Sequence, residues 1–256
     1  DAMKEFGMGC DPDNLESCIL KEGQYHSFIE LHIEQGRSLL DHDKSISILE
    51  AIAGIKQFYI TLRGVRAHAG GMAMKDRHDA MAGAAKIISE VEHLAVNGGV
   101  ATRGTCGYLI SATQDVSVIS DEVMIAIDFR EPDKEIFESL YANLIAFTEE
   151  ECAKRGLTYS VRMDLNASPA TCDPKLREIM LESADRHGIA HETMVSYPAH
   201  DAHHLALLYP MAMIFLRSSN GGVSHCPDEF TTAEDLEAGT IVLYDTLMRL
   251  SAEEST

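Results

Sequence analysis

Between residues 57 and 165 the spacing of apolar residues switches repeatedly between two periods, and few folds accommodate that order of switches. "QFYITLRG" alternates, with Phe58, Ile60 and Leu62 on one side, which predicts a strand. "DAMAGAAKIISEVEHLA" places Ala80, Ala84, Ile87, Val91 and Leu94 on one helical face. "TCGYLIS" predicts a short strand. "EVMIAIDFR" alternates again, with Val123, Ile125, Ile127 and Phe129 opposite Asp128 and Arg130. Pro132 is expected to open a helix to about Lys154, with Ile136, Leu140, Leu144 and Phe147 as its stripe and Gly156 as its stop. "LTYSVRMDL" alternates once more. The order is β-α-β-β-α-β, the split βαβ pattern of ferredoxin-like domains.

The flanks have a different character. Asp173-Pro174 predicts the cap of a helix that ends at Gly188. "MAMIFLR", 211–217, is a continuous apolar run, as in a strand of a parallel sheet. Thr231 or Thr232 caps a last helix, with Ile241, Tyr244, Leu247 and Met248 expected inward. The expected fold class is therefore α/β: residues 1–56 and 166–256 form an α/β layer into which the 57–165 unit is inserted.

Composition narrows the function. The chain has 256 residues and a formal net charge of −20, which repels phosphate backbones and makes nucleic acid an unsuitable partner. No apolar run reaches the ~18 residues of a membrane span, so no membrane partner is expected. Residues 1–20 lack a basic start followed by an apolar core, so no secretory signal is expected. Six scattered cysteines without a CxxC pair suit the reduced thiols of a cytoplasm. The chain opens "DAMKEFGMGC", without an initiator Met, which fits trimmed numbering or a fragment.

The chemistry-bearing candidates are histidines. His32 lies in "FIELHIEQG", His68 in "VRAHAGGMAMKDRHDA" and His225 in "NGGVSHCPDEF"; "AHDAHH" holds His200, His203 and His204. Taken alone, a histidine in an apolar strand is ordinarily a satisfied core residue, and His203 and His204 suit a polar helix start. The Gly-Gly before His225 favours a site, because glycine lets the backbone bend and approach a bound group. Two histidines do not complete a catalytic zinc site, which takes three protein ligands, and HExxH is absent. Cys226 beside His225 is a poor nucleophile pair, because adjacent residues on an extended loop point apart.

In order along the chain stand "ELHIEQG", "HAGxxxMxxRxDA", "SDEVMIAIDFR", "AHDA" and "MIFLRSSNGGVSHCPDE". Together they resemble the N-carbamoyl-L-amino-acid hydrolase, allantoate amidohydrolase and β-ureidopropionase family. These are dinuclear metal amidohydrolases related to aminoacylase and zinc carboxypeptidases. The resemblance runs from about residue 25 to residue 250. It implies a zinc-peptidase-like catalytic α/β domain with an inserted ferredoxin-like lid that also dimerises. It implies two divalent ions, Zn or Mn, with Co or Ni as further options. His32 and His225 match metal ligands. Gln35 matches a substrate-contacting amide. His68 matches a histidine that reaches the partner subunit's site and polarises the substrate carbonyl, and His200 one near the developing oxyanion. Arg130 matches the arginine that pairs with the substrate carboxylate, and its planar fork suits that group. The implied reaction is attack of metal-activated water on a ureido or carbamoyl carbon of a small carboxylate, with release of ammonia.

The chain also departs from the family. The family's early His, bridging Asp and paired glutamates, which supply further ligands and the base, have no counterpart, so the chain is expected to be a C-terminal portion. Ala73 replaces a proline in "HAGGMAM". Ser117 stands where an asparagine normally helps to hold the substrate carboxylate, and Ser120 where a proline is usual. The competing expectation is a non-catalytic truncated homologue that dimerises or binds a small carboxylate.

Overall fold

The computed structural model describes residues 4–5 and 12–253. Cys10 and Glu254 lie outside them. After a short 3-10 turn at Pro12–Cys18, the first half runs β1 (Phe28–Ile33), α1 (Ser38–Asp41), β2 (Ile46–Ile52), β3 (Gly54–Arg63), β4 (Ala67–His68), α2 (Ala80–Gly98), β5 (Arg103–Ser111), β6 (Val118–Ile119) and β7 (Glu122–Glu131). The second half runs α3 (Lys134–Arg155), β8 (Thr158–Ala167), β9 (Ala170–Thr171), α4 (Pro174–Arg186), β10 (His191–Ser196), α5 (Asp201–Leu205), β11 (Met211–Leu216) and α6 (Ala233–Glu253).

The chain is a mixed α/β protein that divides into two compact units. One comprises 1–48, 172–192 and 201–256; the other comprises 49–171 and 193–200. Among the described residues no helix is long and apolar enough to cross a membrane.

In the first unit β11 is buried at every residue and pairs parallel with β1, Phe28 opposite Met211 through Ile33 opposite Leu216. Its other edge pairs antiparallel with the start of β2, Ile214 opposite Ile48. The continuous apolar run of 211–216 therefore marks a central strand of a mixed sheet rather than of a parallel one. Ile46, Ile48, Ala212, Ile214 and Leu216 pack with Leu176, Ile179 and Met180 of α4 and Val242 and Leu250 of α6. Asp173 caps α4, its side chain accepting from the Leu176 N–H at 3.0 Å.

α6 corrects one expectation. Thr232 caps it, accepting from the Asp235 N–H at 3.0 Å, but the inward stripe is not Ile241, Tyr244, Leu247 and Met248. Asp235, Val242, Thr246 and Leu250 are buried, whereas Tyr244, Leu247 and Met248 are 60%, 51% and 52% exposed. Gly239 sets the rotation: a Cβ there would stand 2.3 Å from the Leu216 Cδ2, so only hydrogen fits where the helix meets β11. Both faces of α6 are apolar, and periodicity alone does not choose between them.

In the second unit the strand order is β5-β7-β3-β8, all antiparallel. α2 and α3 cover one face. Phe58, Ile60, Leu62, Val123, Ile125, Ile127 and Phe129 meet Ala84, Ile87, Val91, Leu140 and Leu144 in one core. Asp133, not Pro132, opens α3, its carboxylate accepting from the Glu135 and Ile136 N–H groups. Gly156 ends α3 at φ 63°. β4 and β6, absent from the expectation, form a two-residue ladder beside this sheet.

Candidate metal and carboxylate site

In the first unit the "HIEQG" segment leaves β1 beside the loop that follows β11. His32 is half-buried at the strand end, and its Nδ1 lies 2.6 Å from the Ile33 carbonyl oxygen. A carbonyl only accepts, so in the neutral ring Nδ1 carries the proton and Nε2 the lone pair. That is the arrangement by which metal-binding histidines are oriented. Glu34, the carboxylate of the motif, is structural: its oxygens accept from the Ser38 and Leu39 N–H groups at 2.8 and 3.2 Å and cap α1. Burial pushes its carboxyl up, against the two amide bonds that pull it down.

Gln35 and His225 share an unusual backbone. Among the described residues only Gln35, Asp43 and His225 adopt positive φ without being glycine, at 55°, 52° and 57°. The Gln35 N–H donates to Ser218 Oγ at 2.9 Å, and the His225 N–H donates to Glu229 Oε2 at 2.8 Å. The second Glu229 oxygen accepts from Gln35 Nε2 at 2.9 Å. These bonds, led by the one from Gln35, hold the Glu229 carboxyl below its usual range. The Gly-Gly before His225 serves the loop contact itself. Gly222 has φ 85°, and a Cβ there would stand 2.7 Å from the Gly36 carbonyl oxygen.

In the second unit β4 and β6 set His68 opposite Val118, and the Ala69 N–H donates to the Ser117 carbonyl at 2.7 Å. His68 Nδ1 accepts from the Gly70 and Gly71 N–H groups at 3.0 and 3.1 Å. Its proton in the neutral ring is therefore on Nε2, the reverse of His32. His68 is exposed and presents that N–H as a donor. Ser117 closes a turn: its N–H and hydroxyl both donate to Asp115 Oδ1, at 2.8 and 2.7 Å, which lowers the Asp115 carboxyl.

Arg130 forks onto Asp128, Nε to Oδ1 at 2.9 Å and Nη2 to Oδ2 at 3.1 Å, while Nη1 donates to the Tyr197 carbonyl at 2.8 Å. Ser117 and Arg130 are thus each bonded to a different carboxylate and share none. His200 is buried, its Nε2 2.7 Å from Ser196 Oγ.

Sequence alone assigns no role to Glu229 or Asp128. Both lie inside quoted motifs, Glu229 four residues after His225 and Asp128 two before Arg130, and those spacings were the available signal. The His32 tautomer and the nitrogen donor type of both candidate ligands fit a divalent ion such as Zn, Co or Ni.

A model of the family described as Peptidase family M20/M25/M40 matches residues 5–249. The allantoate amidohydrolase of Bacillus subtilis (strain 168) is 33% identical over 225 residues, 88% of this chain and 54% of that protein. The N-carbamoyl-L-amino-acid amidohydrolase of Pseudomonas sp. (strain NS671) is 33% identical over 250 residues, 97% of this chain and 60% of that protein. The crystal structure of an amidase of the hydantoinase/carbamoylase family from Burkholderia multivorans superposes with a TM-score of 0.76 at 32% identity, covering 86% of this chain and 54% of that one. The chain thus spans little more than half the length of these relatives. Because the family model matches residues 5–249 of its 256, the chain belongs to peptidase family M20/M25/M40.

Proposed function

We propose that this chain is part of a metal-dependent amidohydrolase that cleaves a ureido or carbamoyl C–N bond of a small carboxylate and releases ammonia. The observation that carries the reading is the pair of opposed tautomers. In the neutral ring His32 carries its proton on Nδ1, toward the Ile33 carbonyl, and His68 carries its own on Nε2, with Nδ1 accepting from the Gly70 and Gly71 N–H groups.

His32 and His225 would hold the metal, together with further ligands. Two divalent ions, Zn or Mn in the first instance, would supply Lewis acidity and a water of lowered pKa. His68 would donate its N–H to the substrate carbonyl in the partner subunit's site, where negative charge develops, and His200 would lie near the developing oxyanion of its own subunit's site. Arg130 takes the substrate carboxylate with the N–H groups that Asp128 and Tyr197 leave to it, and Ser117 would add its hydroxyl only by giving up its bond to Asp115. Gln35 contacts the ureido end. The same reading makes 57–165 a lid through which the protein dimerises, and places the protein in the cytoplasm.

The protein at its full natural length, supplied with Zn, Mn, Co or Ni, is expected to release ammonia from an N-carbamoyl amino acid, allantoate or ureidoglycolate. His225→Ala is expected to abolish that release. No ammonia from any of these substrates with any of these metals overturns the proposal.

A further inference from the structure

The tie between Gln35 and His225 runs through one side chain, and that side chain has a consequence for what Gln35 can recognise. A carboxylate only accepts hydrogen bonds. The atom of Gln35 that faces Glu229 is therefore Nε2, and the carboxamide oxygen is turned away from it. On its other oxygen Glu229 takes the N–H of His225, a residue at φ 57°, where a side chain costs conformational energy. Glu229 itself is set by a turn, its N–H donating to the Cys226 carbonyl at 3.1 Å. The loops also meet backbone to backbone, Gly222 against Gly36.

We infer that Glu229 is a positioning residue with two outputs: it fixes the strained backbone that aims His225, and it orients the Gln35 carboxamide so that oxygen is the atom offered to substrate. The group recognised by that oxygen is then an N–H donor, such as the terminal NH2 of a ureido or carbamoyl group. This inference rests on the proposed function above and deepens it.

Two substitutions separate the outputs. Glu229→Ala removes both bonds. It is expected to speed hydrogen exchange at the His225 amide and to weaken zinc binding about 10- to 100-fold, the usual effect of losing a partner behind a metal ligand. Glu229→Gln keeps an oxygen for the His225 N–H, but its NH2 group faces Gln35. Gln35 must then turn its own oxygen inward and offer N–H to substrate. Zinc affinity is expected to stay within about threefold, while KM for an N-carbamoyl amino acid rises about tenfold, more than kcat falls.

The measurements are made on the protein at its full natural length, by zinc competition against a chromophoric chelator and by steady-state kinetics, with His225→Ala as reference. Zinc affinity within about twofold of wild type in Glu229→Ala, with an unchanged KM in Glu229→Gln, overturns this inference. If His225→Ala also binds zinc unchanged, the metal reading falls with it; if His225→Ala loses zinc, only the role of Glu229 falls. Should Glu229→Ala not fold, the KM of Glu229→Gln decides alone.

Discussion

Asp128 grips Arg130 from two residues earlier on the same face of β7, one carboxylate oxygen to Nε and the other to Nη2. Asp128 is itself steadied by Gln57 Nε2 at 2.7 Å. Three of the five guanidinium N–H groups are engaged within the chain, and the planar group is aimed before any ligand arrives. Arg130→Lys keeps the charge but cannot form the fork. KM for an N-carbamoyl amino acid is expected to rise about 10- to 100-fold with a smaller fall in kcat. An unchanged KM would remove Arg130 from carboxylate binding.

Gly222→Ala tests the close approach of the two loops. The new methyl would meet the Gly36 carbonyl, and φ 85° suits only glycine. A destabilisation of about 1–3 kcal/mol is expected, read from the midpoint of chemical denaturation. A midpoint equal to wild type would mean that the loops do not meet as described.

Glu229 makes a pH prediction with a definite sign. Its folded carboxyl titrates below the ordinary value of 4.5. The stabilisation it gives is thus present above the unfolded pKa and is lost as pH falls through the folded one. The stability difference between wild type and Glu229→Gln is expected to shrink on acidification below about pH 4.5 and to be constant near neutrality. A difference that grows in acid would contradict the bonding pattern.

Cys152 is buried among the α3 residues that face the sheet, and burial, with Glu151 beside it, pushes its thiol up to about 11. In the native protein iodoacetamide at about pH 8 is expected to modify the exposed Cys18 and Cys226 well before Cys152. Peptide mass mapping checks this, and early modification of Cys152 would show that the α3 face opens readily.

The β-α-β-β-α-β order was legible because each segment there has one apolar face and one period. Asp173, and Thr232 as one of two adjacent threonines, were legible as caps because their chemistry is local. The face of α6 was not, since the deciding contact is a glycine against Leu216, a residue distant in sequence. β4 and β6 were too short to have a period. The roles proposed for His32 and His68 rest on resemblance; which nitrogen carries the proton depends on backbone groups that sequence does not place. Glu229 was hidden for a similar reason, because its two partners lie four and 194 residues away.

The β2–β9 ladder bears on the order in which the molecule assembles. Pairing of β1 with β11 joins Phe28–Ile33 to Met211–Leu216, a long closure for a flexible chain. Ala51 pairs with Thr171 and Ile52 with Ala170, so the excursion from 49 to 171 leaves and returns at one place. Once that excursion has folded, the closure entropy left for β1 and β11 is that of the shorter outer segments alone. Apart from residues 193–200, the inner unit is built from contiguous sequence, and it acts as a clasp that shortens the loop for the outer one. Substitutions that slow the 49–171 unit are therefore expected to slow formation of the outer sheet, even where they touch none of its residues.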